Sequence, residues 1–230
     1  MTLFHHLTMT PWLPWRLRNS VRHWVEFNAS AKDPALYRWL HFGSSRERAC
    51  AVTHGPAHHF FGYYEKSPWN SSQTLLLAHE VDFNDHAPGP NDRVRLGVIN
   101  LSNHRFEQLG DSLAWNWQQG AMLTWHPANP ERLFVHNDMR NSQHVGVVRD
   151  ISGEEIAAYD RPIYSILPNG KVAFLVSFAR LARHRPGYGY EGPRDLFENL
   201  PHPSQDGIWR IDLESGESRL IVSLGQLATL

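Results

Sequence analysis

The sequence has almost no cysteine and almost no excess charge. Its single cysteine, Cys50, excludes an intramolecular disulfide framework. A lone cysteine is most often a small apolar packing residue, so we do not assign Cys50 a catalytic role. The formal net charge of −1 provides no concentrated basic surface of the kind that binds nucleic acid. Nucleic acid is therefore not an expected partner.

Long hydrophobic runs are also missing. No apolar stretch reaches the length of a transmembrane helix. Pro11 and Pro14 interrupt the apolar N-terminus, and Arg16 and Arg18 follow it, which does not fit a signal peptide. We therefore expect a cytoplasmic protein without membrane contact.

Residues 1–45 are predicted to be a helical N-terminal extension. Leu17, Val21 and Val25 recur at helical spacing, and a second short helix is expected between Pro34 and Gly43. The first helix could lie on a membrane surface or pack its apolar stripe on the main domain. We prefer the second interpretation, because most amphipathic helices bury their stripe within the protein.

Beyond residue 45, short apolar runs alternate with turn residues, and two patterns recur three times. The first pattern has a proline, a polar turn and an apolar strand, at residues 66–81, 124–138 and 165–178. The second has a strand, a tight turn and a strand, at residues 96–109, 146–159 and 207–222. Asn103, Gly153 and Gly216 are expected to take the left-handed conformation in the second set of turns.

A four-stranded antiparallel unit that recurs at this period predicts a β-propeller. The fold class is all-β, with about three blades over residues 46–230. The innermost strands are predicted at residues 61–66, 116–125 and 161–166. We expect Phe60, Phe61 and Trp69 to fill the space between blades.

Three blades are fewer than the four to eight that usually close a propeller. Residues 225–230 are therefore expected to begin a fourth innermost strand of an incomplete propeller. The chain would then be the N-terminal portion of a longer protein. Alternatively, two copies complete one ring through their open blade edges.

The repeat resembles known propeller families. The segments LPNGK at residues 167–171 and IDLESGE at residues 211–217 resemble the blades of TolB-like and oligogalacturonate-lyase-type propellers. HHFFGYY, WNWQQG and RPGYGY also resemble an uncharacterised bacterial β-propeller family associated with polysaccharide loci. The resemblance covers about residues 50–230. It implies a propeller fold and a link to polysaccharide metabolism, while the histidine and glutamine metal ligands of the lyases are not found.

The propeller topology places one set of loops on one face, at the mouth of the central channel. These are residues 83–93, 138–144 and 179–206, together with the segments that enter the innermost strands. Aromatic faces, arginines and amides there suit an acidic sugar or another anionic ligand. The predicted ligand-binding residues are His58, His59, Tyr63, Glu65, Gln118, Gln119, Arg140, Arg161, Arg185, Tyr188 and Tyr190.

Three functions remain open at this point. We favour a propeller that binds a carbohydrate or anionic sugar. The alternatives are a lyase or hydrolase of acidic saccharides, with His58, His59, Tyr63 or Glu65 as acid–base groups, and a protein-interaction scaffold. No motif identifies catalytic residues, a cofactor or a metal site: HGPAHH at residues 54–59 is a weak metal signal, and GYGYEG at residues 187–192 lacks the strand and helix of a dinucleotide site.

Overall fold

A computed structural model describes residues 51–230, of which Val52–Leu230 form one compact unit. This unit is all-β and contains three four-stranded antiparallel sheets in an open arrangement. The predicted partial propeller with three blades is confirmed. The N-terminal helices predicted within residues 1–45 lie outside the described residues.

Each sheet follows the chain in sequence order, with its first strand at one edge, the place of the innermost strand in a propeller blade. Sheet 1 contains β1 (His58–Phe60), β2 (Leu75–Val81), β3 (Val94–Asn100) and β4 (Arg105–Ser112). Sheet 2 contains β5 (Thr124–Trp125), β6 (Leu133–Arg140), β7 (Gln143–Asp150) and β8 (Glu155–Tyr159). Sheet 3 contains β9 (Ile163–Ile166), β10 (Val172–Leu175), β11 (Gly207–Asp212) and β12 (Ser218–Ser223), with helix α1 (Phe178–His184) between β10 and β11.

The turns between third and fourth strands follow the prediction in two sheets. Gly153 and Gly216 have φ values of 86° and 75°, as expected for glycine turns. In sheet 1 the prediction for Asn103 was wrong, because His104 is the residue with a positive φ, 58°. The Asn103 side chain instead accepts a hydrogen bond from the main-chain N–H of Arg105.

The innermost strands are shorter than predicted. In sheet 1 the strand is β1, and residues 61–66 lie beyond it, with a turn closed by a hydrogen bond from Lys66 N to the Tyr63 carbonyl. In sheet 2 the segment 116–120 is a turn in which Asn116 and Gly120 exchange main-chain hydrogen bonds. In sheet 3 the strand begins at Ile163, directly after Pro162, which has no N–H to donate.

Two further predictions are corrected. Residues 225–230 do not begin a strand, because Leu224–Leu227 form a short helix, α2. Ser223 and Gln226 cap the N-terminus of this helix with a reciprocal capping box. Trp69 does not fill an inter-blade space, because 45% of it is exposed. Phe60 and Phe61 do pack against the buried clusters beside sheet 1.

The core lies between neighbouring sheets. Leu77 and Val98 of sheet 1 meet Phe134 of sheet 2 in one cluster. Val135 and Val148 of sheet 2 meet Leu175 of sheet 3 in the next. Sheet 2 therefore buries one face against sheet 1 and the other against sheet 3, as stacked blades require.

Two buried polar side chains connect the sheets at their inner ends. His79 on β2 is fully buried, and its Nε2 accepts a hydrogen bond of 2.9 Å from the main-chain N–H of Ala121. Asn137 on β6 is also fully buried, and its amide bonds both the N–H and the carbonyl of Ile163. Through these side chains, β2 and β6 each hold the segment that leads into the next sheet.

Within residues 51–230, no helix is long and apolar enough to cross a membrane.

We expect Asn137→Ala to lower the free energy of unfolding by about 2–4 kcal/mol, because it leaves the buried N–H and carbonyl of Ile163 without partners. Urea denaturation measures this change. Asn103→Ala on the exposed turn is the matched control and should cost less than about 1 kcal/mol. Equal losses in the two variants would contradict the role assigned to Asn137.

Stability should also decrease on acidification. Burial lowers the pKa of His79 to about 3 and that of His144 to about 4. An unfolded chain protonates these rings near pH 6.5, so it binds more protons than the folded chain below that pH. Full stability is therefore expected above about pH 6.5, with a loss of up to about 1.4 kcal/mol per pH unit for each histidine below it.

Urea midpoints between pH 7.5 and 5.0 test this dependence. His144→Gln should flatten the profile, whereas His54→Gln, at an exposed position, should leave it unchanged. A midpoint that stays constant down to pH 5.0 would show that these rings are not held neutral by the fold.

Candidate functional site

Three loops meet on one face of the structure, as the propeller topology predicts. They are residues 82–93, the β6–β7 hairpin and residues 176–206. Gly192 of the third loop marks the meeting point, since a Cβ there would lie 2.7 Å from Met139 Sδ and 3.9 Å from Pro90 Cβ. This face is built by all three sheets.

Gly62, at the centre of HHFFGYY, packs directly on the backbone of the WNWQQG segment. Its φ is +102°, and a Cβ would lie 2.8 Å from the carbonyl carbon of Gln119 and from the nitrogen of Gly120. Only glycine combines this conformation with so close an approach. The aromatic stretch therefore leaves β1 in order to contact the entry to sheet 2.

The RPGYGY segment reaches the same place. The Gly189 carbonyl accepts a hydrogen bond of 2.5 Å from the Asn116 side chain, and the Gly189 N–H donates to Gln119 Oε1 at 3.4 Å. Beside it, the ring of Tyr190 stacks on Phe178 with centroids 4.3 Å apart. Three segments that are far apart in sequence are thus held together by specific contacts.

A cleft of about 410 Å³ opens where these segments meet. Its walls combine aromatic and aliphatic side chains with a few polar groups. The lining residues are Tyr63, Gln119, Tyr164, Val176, Ser177, Arg180, Leu181, His184, Arg185, Tyr188, Asp206, Gly207, Ile208 and Leu224. Four of the residues predicted from sequence are among them: Tyr63, Gln119, Arg185 and Tyr188.

Two tyrosines form the inner end of the cleft. The hydroxyl groups of Tyr63 and Tyr164 lie 3.1 Å apart. This hydrogen bond, together with burial, raises the pKa of Tyr63 to about 12. Lys66 donates from Nζ to the Tyr164 carbonyl, and burial lowers the pKa of Lys66 to about 8. Tyr63 therefore remains a neutral hydroxyl that can donate or accept a hydrogen bond but does not act as a base at neutral pH.

Arg185 and Tyr188 lie at the outer end. The Arg185 guanidinium carbon lies 3.9 Å from the centroid of the Tyr188 ring. Arg185 is exposed and has no ion-pair partner among residues 51–230. Stacking orients the guanidinium and leaves its N–H groups available to an anion.

The other predicted residues of the first sheet lie apart from the cleft. His59 Nε2 is 2.8 Å from Glu80, which also accepts from Arg95. His58 is exposed near Asn84, at 3.5 Å. Glu65 is exposed and accepts a hydrogen bond from Tyr64.

The remaining four predicted residues have separate contacts. Gln118 is exposed. Arg140 pairs with Glu155 and Asp138. The Arg161 guanidinium stacks on the Trp209 ring at 3.7 Å. Tyr190 is buried, and its hydroxyl accepts a hydrogen bond from Asn137, so it supports the cleft wall from below.

Sequence reasoning did not select Tyr164 and Asp206, which also line the cleft. Tyr164 lies on β9, an innermost strand, so its position in the repeat was the available signal. Asp206 closes a loop of variable length directly before β11, and no sequence pattern marks it. Residues 51–230 contain no group of three histidine, cysteine or acidic side chains that could hold a metal ion.

Neither models of known protein families nor curated proteins give a match to this sequence.

Gly62→Ala should lower the free energy of unfolding by about 2–4 kcal/mol, because it adds backbone strain and a clash with Gln119. Gly216→Ala is the matched control. Its φ is also positive, but no atom lies within 4 Å, so only strain of about 1–2 kcal/mol is expected. Urea denaturation of both variants gives the difference, and equal values would contradict the close contact at Gly62.

Proposed function

We propose that this protein binds a carbohydrate, with preference for an acidic sugar, in the cleft where its three sheets meet. The supporting observation is that HHFFGYY, WNWQQG and RPGYGY each contribute residues to one cleft. Tyr63 comes from the first segment, Gln119 from the second, and Arg185 and Tyr188 from the third. Contacts that serve the fold alone would not require the four side chains to share a cavity.

The size and lining of the cleft suit a small ligand. Sites for small molecules commonly enclose about 300–1,000 Å³, with mostly apolar walls and a few placed polar groups. The tyrosine rings offer flat faces to the C–H side of a sugar, and the amide and hydroxyl groups match its hydroxyls. This combination favours a saccharide over a purely apolar ligand.

Arg185 supports the preference for an acidic sugar. A guanidinium binds a carboxylate through two parallel hydrogen bonds. Its position on the Tyr188 ring keeps it at the outer end of the cleft. A uronic acid with its ring in the cleft would place its carboxylate there.

Binding is better supported than catalysis. Of the proposed acid–base groups, His58, His59 and Glu65 do not line the cleft, and Tyr63 has a raised pKa. The protein-interaction scaffold has no comparable support, because no specific surface among residues 51–230 favours it. A role in polysaccharide metabolism remains part of the proposal through the sequence resemblance alone.

A glycan array of neutral and uronic-acid oligosaccharides tests this function with the purified chain. We expect binding to acidic glycans, a loss of at least tenfold in Tyr188→Ala, and a selective loss of acidic glycans in Arg185→Ala. Arg105→Ala, another exposed arginine outside the cleft, is the control and should bind as the wild type does. An array without signal for the folded wild type would contradict the proposal.

A further inference from the structure

The cleft contains a buried carboxylate without a hydrogen-bond partner in the described part of the chain. Asp206 is 5% exposed and lines the cleft. Its one hydrogen bond within residues 51–230 is made by its main-chain carbonyl, which accepts from Leu224 N at 2.8 Å. This bond fixes the backbone of Asp206 beside α2 and leaves the side chain unpaired.

The other buried aspartates of residues 51–230 are all paired. Asp138 accepts from Leu113 N and from Arg140, and Asp150 accepts from Ser152 N and from Arg132. Asp195 binds Arg180 and Arg183 and accepts from Phe197 N. Within residues 51–230, Arg161 Nε and Trp209 Nε1 are the fully buried side-chain polar atoms without a hydrogen-bond partner, so the Asp206 carboxylate, which no residue there pairs, keeps contact with the open cleft. Asp206 is therefore a group that a ligand, rather than the fold, is suited to satisfy.

Gln119 provides a complementary donor in the same cleft. It is 2% exposed, and its Oε1 accepts from Gly189 N. Its Nε2 makes no hydrogen bond within residues 51–230. The cleft thus offers a carboxylate that can accept hydrogen bonds and an amide that can donate one.

We infer that Asp206 accepts hydrogen bonds from two neighbouring hydroxyl groups of a saccharide, with Gln119 as the donor in the same subsite. This inference rests on the proposed function and names the chemistry of its inner subsite. Two adjacent hydroxyls can donate to the two oxygens of one carboxylate, while a sugar oxygen accepts from Gln119. A purely anionic ligand cannot supply these donors.

The two charges in the cleft also orient the ligand. Asp206 repels a sugar carboxylate, and Arg185 attracts one. An acidic saccharide would therefore bind with its hydroxyls at Asp206 and its carboxylate at Arg185. A neutral saccharide retains the first interaction and loses the second, so Asp206 is important for both classes and Arg185 for one.

A melting experiment without any ligand tests the state of Asp206. Asp206→Asn removes a charge that the described residues do not pair, with little change of shape, so the melting temperature should not fall. Asp195→Asn is the matched control: it breaks the ion pairs of a buried carboxylate with Arg180 and Arg183 and should lower the melting temperature or prevent folding. A lower melting temperature for Asp206→Asn would overturn the inference, because Asp206 would then be satisfied by the fold.

Binding on the same glycan array separates this inference from the proposed function. Asp206→Asn should reduce binding of neutral and acidic oligosaccharides by at least tenfold, whereas Arg185→Ala should reduce only the acidic set. Glycan binding that is unchanged in Asp206→Asn would overturn the inference and leave the proposed function intact. A wild-type chain that binds no glycan would overturn the proposed function, and with it the assignment of hydroxyl groups to Asp206.

Discussion

The structure depends on the burial of sheet faces against neighbouring sheets. A four-stranded sheet of this size cannot cover its own apolar faces, so each sheet of this chain is stable only next to another. The apolar clusters around Phe134 and Leu175 cover the faces between neighbouring sheets. They do not by themselves determine how the sheets are aligned, because apolar packing has little directional preference.

Alignment comes from His79 and Asn137. Each is fully buried on a second strand and hydrogen-bonds the backbone that enters the next blade. These bonds set the position of the inner strands relative to one another. Because the cleft is built from the turns that follow or precede those strands, its geometry depends on the same two residues. Asn137 also bonds the Tyr190 hydroxyl and so connects this alignment to the loop of the third sheet.

The sequence was sufficient to predict the three blades, because proline turns and glycine turns recur with the strands between them. Shorter-range details were not predictable. Residues 61–66 have the composition of a strand, but Gly62 turns the chain onto Gln119, a contact between distant segments that no local pattern encodes. The repeat pattern does not predict the helix at the end of the described chain, which begins at the capping pair Ser223 and Gln226.

Only some of the predicted site residues lie together in the cleft, because contacts between distant segments are not encoded in local sequence. Placement on one face did not distinguish the side chains that line the cleft from those that pair with neighbours, such as His59 with Glu80. Asp206 differs from His59 in that its side chain has no hydrogen-bond partner within the described residues, and this is what makes it a candidate ligand-binding group. Such an absence is visible only when all the surroundings of a side chain are known.

Hydrogen exchange of the purified chain, with and without pooled uronic-acid oligosaccharides, tests directly whether the three distant segments form one ligand site. Peptides covering residues 61–66, 116–122 and 185–191 should become protected together at the same ligand concentration. Protection of only one of these segments, or of the outer strands instead, would contradict a shared site.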